Sequence, residues 1–236
     1  MAKKSSPQRS RKGSKKSGSK KQQNRTIFWI AIGLGLALVI ILAAVGFISS
    51  RPGKSAGASF DESVGQPVDR TTIGDPNAPV LVETYEDFLC PHCADFTAEL
   101  GPVLMDLVRD GKVRWVYKYR VIGGSDSLTA NMAAECAADQ GKFWPYHEEL
   151  FRRIQEKGKI AVFPNSLKKL AADLGLDTDQ FNQCLDSKQH LKEIQKIDQA
   201  AAARGVNGTP TIFINGQRYD GSRSPEAFKA AIEAAK

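Results

Sequence analysis

A Cys-Pro-His-Cys tetrad at residues 90–93 stands where a β-rich segment gives way to a helical pattern, and that junction constrains the chain more than any other feature. The segment Pro79–Asp87 (PVLVETYED) follows the turn-like GDPNAP. After the tetrad, Phe96, Leu100, Leu104, Leu107 and Val108 recur at helical spacing to about Arg109. A helix opening at Cys90 points its unpaired N–H groups and positive dipole end at the first sulfur, which favours a thiolate. Pro91 suits the first helical position, where its missing N–H would have no partner anyway. His92 adds a second thiolate-stabilising group, strongest when protonated. One turn on, Cys93 comes beside Cys90 and can close a short disulfide ring. Read from these residues, the tetrad is a redox dithiol; half a zinc site, a copper site and a static disulfide are the alternatives. Zinc needs a second ligand pair at similar spacing, and Cys136 and Cys184 stand far apart in the chain.

The elements around the tetrad have a definite order. Asp110-Gly111 is a turn, and Val113–Val121 alternates as a strand. Residues 126–205 are almost wholly helical in pattern: Trp144, His147, Phe151 and Ile154 form one stripe, and Leu191, Ile194, Ile197 and Ala201 another. Such stripes read as core packing rather than as a cofactor box. The end reverts to β, with Thr211–Asn215, an Asn215-Gly216 turn and Arg218–Asp220, then a last helix carrying Phe228 and Ile232. The order is βαβ, a helical block of about 80 residues, a β-hairpin and a helix, with no internal repeat. His147 and His190 read as core or surface histidines. Asn207-Gly208-Thr209 matches a glycosylation sequon by coincidence, and the alternating charges of 186–198 read as a solvated helix face.

Upstream, Ile27 to Ile48 is free of charge and proline, about 33 Å of helix at 1.5 Å per residue, enough to span a bilayer. The net charge is +7, yet residues 1–26 hold ten Lys/Arg and no acid, so the remainder is net −3 and a nucleic-acid-binding body is disfavoured. The positive-inside rule puts that tail in the cytoplasm and the rest outside. A cleaved signal peptide is the competing reading, but its apolar region is normally shorter, and the small triplet Ala56-Gly57-Ala58 lies ten residues beyond the run. The expected organisation is a basic cytoplasmic tail (1–26), an uncleaved single-pass transmembrane helix (27–48), a flexible Ser/Gly/Ala/Pro-rich linker (49–67) and one extracytoplasmic domain (68–236). In that oxidising compartment the two cysteines outside the tetrad, Cys136 and Cys184, are expected to pair.

Cys90-Pro91-His92-Cys93 after a β-rich segment, with Thr209-Pro210 before a terminal hairpin, resembles the thioredoxin superfamily. The CPHC dipeptide and the helical insertion, with AAECAADQGKFWPYHEELF (133–151) and GVNGTPTIFINGQ (205–217), are similar to the membrane-anchored DsbA-like thiol:disulfide oxidoreductases. The resemblance covers about residues 68–236. It implies an α/β thioredoxin fold with a helical insertion, Cys90 as the nucleophile, Cys93 as its buried partner in a Cys90–Cys93 disulfide, and Pro91-His92 as the dipeptide that sets redox poise. Pro210 resembles the cis-proline facing the dithiol, with Thr209 offering backbone hydrogen bonds to a substrate strand. The family often carries a buried acid six residues before the first cysteine; here Thr84 stands there, with Glu83 and Glu86 to either side. The implied activity is donation of the disulfide to reduced secreted or envelope proteins by a monomer, without cofactor or metal, re-oxidised by a quinone-linked membrane oxidase of the DsbB or VKOR type. The rivals are a reductase or isomerase on the same fold, and a copper metallochaperone using Cys90, His92 and Cys93.

Overall fold

Strand β2 (Val80–Glu86) pairs on both edges, and the domain is arranged around it. It runs parallel to β3 (Val113–Tyr119) from Val80↔Val113 to Glu86↔Tyr119, and antiparallel to β4 (Thr211–Ile214) from Val82↔Ile214 to Tyr85↔Thr211. The parallel pair requires a crossover, which is helix α1 (Pro91–Arg109). The outer strands are β1 (Thr72–Ile73), antiparallel to β3, and β5 (Gln217–Tyr219), giving a five-stranded sheet of order β1-β3-β2-β4-β5. The β4–β5 turn uses Asn215 and Gly216, both with positive φ (48° and 79°), as a two-residue hairpin requires. Helix α7 (Pro225–Ala234), capped by the Ser224 hydroxyl, closes the fold. This computed structural model describes residues 70–235; the tail, the apolar run 27–48 and the linker lie outside the described residues. Among the described residues no helix is long and apolar enough to cross a membrane.

The helical insertion between β3 and β4 consists of α2 (Ser125–Ala138), α3 (Phe143–Lys157), a 3-10 segment (Gly158–Val162), α4 (Pro164–Asp173), α5 (Thr178–Asp186) and α6 (Leu191–Ala203). Helix α2 is buried without a break from Ala130 to Ala138, because its alanines let neighbouring helices approach on all sides. A disulfide ties Cys136 of α2 to Cys184 of α5 across 48 residues, with a Cα–Cα distance of 5.8 Å. Beside it Arg70 bonds Glu135 (2.7 Å) and Asp139, and His190 bonds Asp139 (2.7 Å). His190 is therefore a structural hydrogen-bond partner of Asp139.

His147, from the first helical stripe, sits buried among Phe88, Tyr117, Phe143, Trp144 and Phe151, with ring centroids 4.9–5.7 Å away. It is a core histidine, yet its Nε2 has no hydrogen-bond partner in the protein. Burial pushes its pKa down to about 3, so the ring is neutral.

Two expectations are corrected here. Strand β3 stops at Tyr119 rather than Val121, because the next N–H groups turn elsewhere: Arg120 donates to the Glu86 carbonyl (2.8 Å) and Val121 to the Asp198 carboxylate (2.9 Å). The same carboxylate is ion-paired with Arg120. The charged run on α6 is thus not wholly a solvated face, since its Asp198 fastens the insertion to the end of the sheet.

Candidate active site

The backbone at the end of β2 sets the geometry of the tetrad. Asp87 follows the strand, and its buried carboxylate accepts from the N–H of Leu89 (2.8 Å), the N–H groups of Ile122 and Gly123, and the Ser127 hydroxyl (2.6 Å). Its carbonyl accepts from the Cys90 N–H (3.0 Å). One side chain therefore pins the turn before the tetrad to the loop after β3. Cys90 is the N-cap of α1, extended at φ −81°, ψ 117°, with Pro91 at the first helical position. Its carbonyl accepts from the N–H groups of Cys93 (3.0 Å) and Ala94 (3.2 Å), which fixes the first turn.

Both tetrad thiols are free, so the structure presents the dithiol form. Cys90 is half-buried, and its thiol donates to the Thr209 carbonyl at 3.4 Å. The bond from Cys93 is the main stabiliser of the Cys90 thiolate. Partial burial works against it, while the N–H groups of Cys93 and His92 work with it, and its pKa falls to about 5. Cys93 has no exposed surface. Burial, its bond to Cys90 and the charge of Glu86 push its pKa far up. The two sulfurs are thus a half-buried thiolate and a hidden thiol, the asymmetry that thiol–disulfide exchange uses.

The Thr209–Pro210 peptide is cis, and Thr209 lies against Cys90, so the expected substrate-side residues do meet the tetrad. His92 is placed differently from the simplest expectation. Its ring is 77% exposed with Nδ1 3.8 Å from Asp95, and the part of His92 that serves Cys90 is its backbone N–H.

The acid question resolves through strand parity. Thr84 and Glu86 are two residues apart and share a face of β2, so Glu86 occupies that face one step nearer the dithiol. Glu83, on the other face, pairs with Arg204 (2.9 Å). Glu86 is fully buried, its Oε1 has no partner, and its Oε2 accepts from the Thr97 hydroxyl of α1 at 3.4 Å. Burial raises its pKa to about 8; the Thr84 and Thr97 hydroxyls counter this, and a negative Cys90 adds to it. Asp87 and Thr97 had no sequence signal of their own. Glu86 had one, the alternation along β2.

Among the described residues, the cysteine cluster with ligand spacing is Cys136, Cys184 and His190, whose sulfurs are joined in the disulfide, rather than the tetrad with His92.

A thioredoxin family model matches residues 66–234. The crystal structure of oxidised BdbD from Bacillus subtilis superposes with a TM-score of 0.65 at 25% identity, covering 72% of this chain and 96% of that one. Reduced DsbA from Mycobacterium tuberculosis superposes at 0.58 with 32% identity, covering 69% and 87%. The Na(+)/H(+) antiporter NhaA 3 of Salinispora tropica is 34% identical over 170 residues, 71% of this chain but only a quarter of the antiporter. The match thus spans about a quarter of the length of that relative. With a hidden thiol behind a stabilised thiolate, a cis-proline loop against it and these relatives, the chain belongs to the thioredoxin family and is a DsbA-like thiol-disulfide oxidoreductase.

Proposed function

We propose that this oxidoreductase works as an oxidase outside the cytoplasmic membrane, introducing disulfides into reduced secreted or envelope proteins. The observation that carries the reading is the Cys90 thiolate, which is far more stable than an ordinary thiol at neutral pH. Stabilising the reduced enzyme makes its disulfide a stronger oxidant. A substrate thiolate attacks Cys90 of the Cys90–Cys93 disulfide, the S–S bond breaks, and Cys93 leaves with the electron pair and a proton taken from the Glu86 carboxyl. A second substrate thiolate attacks the substrate sulfur of the mixed disulfide. The oxidised substrate then leaves with Cys90 as the thiolate.

Re-oxidation by a quinone-linked membrane oxidase of the DsbB or VKOR type runs the steps backward, with Glu86 taking the Cys93 proton. The apolar run 27–48 holds the domain at the membrane and the basic tail stays inside, as the charge asymmetry requires. An extended substrate segment lies along Thr209-Pro210. The test is oxidative refolding of a reduced, unfolded protein by the full chain in its disulfide form. Transfer should be stoichiometric and absent in Cys90→Ser. In Cys93→Ser, challenged with a mixed substrate pool, adducts through Cys90 should accumulate. A chain that reduces substrate disulfides but does not transfer its own would replace the oxidase with a reductase.

A further inference from the structure

Glu86 has no exposed surface, so a proton that it exchanges with Cys93 needs another way to solvent. Among the described residues, the side chain that hydrogen-bonds its Oε2 also reaches solvent. Thr97 stands one turn beyond Cys93 on α1, half-buried, with its hydroxyl 3.4 Å from Glu86 Oε2. Thr97 also lines a cleft of about 360 Å³ between α1 and α3, together with Ala94, Gly101, Trp144, His147 and Glu148. The cleft opens to solvent beside exposed Ala98 and Gln155, which also line it. Glu148 offers a carboxyl at the cleft, held above the usual carboxylate range by burial and the neighbouring charge of Glu149.

We infer that the Thr97 hydroxyl is the proton outlet of the dithiol, passing protons between the Glu86 carboxyl and water in the α1–α3 cleft, with Glu148 as the next acceptor. The inference rests on the role given to Glu86 above. As Cys93 attacks the mixed disulfide at Cys90, the Cys90–Cys93 bond forms, the outer thiolate leaves with its electron pair, and the Cys93 proton moves to Glu86. Thr97 then accepts a proton from the Glu86 carboxyl and releases its own to cleft water, which returns the hydroxyl unchanged. Substrate oxidation runs the same path inward. The relay moves no electrons, so its mark is on rates.

The experiment is single-turnover re-oxidation of the reduced full chain at high glutathione disulfide, where ring closure by Cys93 limits the rate, in H₂O and D₂O. General acid–base relays contribute on the order of 100-fold, so Thr97→Val, which keeps the shape and removes the hydroxyl, should slow closure at least about tenfold. It should also change the solvent isotope effect. Thr97→Ser should restore both. Wild-type closure in Thr97→Val, with Glu86→Gln slow, overturns the outlet and leaves the role of Glu86 standing. Wild-type closure in Glu86→Gln removes the reading beneath it.

Discussion

The low pKa of Cys90 makes the stability of the reduced fold depend on pH. The thiol falls from 9.0 to about 5 in the folded reduced chain, chiefly through the bond from Cys93. A depressed pKa stabilises the folded state above the unfolded value and loses that contribution as pH falls through the folded one. At pH 7 the folded sulfur is ionised while the unfolded thiol keeps its proton. Two units at about 1.4 kcal/mol each then give roughly 3 kcal/mol. The contribution approaches twice that above pH 9 and vanishes below about pH 5. Screening by water at the half-buried sulfur makes these upper figures. Glu86 works in the opposite direction: its carboxyl, raised to about 8, costs stability as pH climbs from its ordinary value. The raw pH profile therefore mixes two slopes of opposite sign, and the informative quantity is a difference. Urea unfolding of the reduced chain and of Cys90→Ala, from pH 5 to pH 8, should give a stability gap that widens by nearly 1.4 kcal/mol per pH unit. A gap that stays flat over this range would refute the stabilised thiolate and the chemistry built on it.

Two more outcomes follow from the same geometry. Replacing Cys136 and Cys184 together by alanine should lower stability by about 2–4 kcal/mol, from the 48-residue loop that the bond closes, while exchange through Cys90 is retained; calorimetry and a glutathione exchange assay check both halves. His92→Ala should move the Cys90 pKa by less than about one unit, since its ring faces Asp95 and its backbone N–H remains, whereas Cys93→Ala should move it further; ultraviolet titration of the thiolate separates the two.

Much of this site is legible in the sequence because its signals are local. A Pro one residue after a Cys at a strand-to-helix junction fixes the helix start, and Asn215-Gly216 announces its hairpin. Strand β1 was missed because two residues carry no periodicity, and it exists only as an edge partner of β3. The role of Asp87 was hidden for a different reason. Its partners Ile122, Gly123 and Ser127 lie 35–40 residues away and come to it only when β3 has paired with β2. Thr97 looked like any polar residue on an amphipathic helix; what distinguishes it is the carboxyl that strand parity places opposite. His92 shows the converse, a residue whose type pointed to its side chain while the fold uses its backbone.

The most direct test of the central claim is the reduction potential of the Cys90–Cys93 couple in the full chain, equilibrated with glutathione at pH 7. A Cys90 pKa of about 5 stabilises the reduced form by roughly 3 kcal/mol, worth about 60 mV toward oxidation relative to the same fold with an ordinary thiol. The account predicts a potential at least about 60 mV more oxidising than about −270 mV, that is about −210 mV or above. A value near −270 mV, with Cys90 titrating close to a free thiol, would contradict it and identify the chain as a reductase.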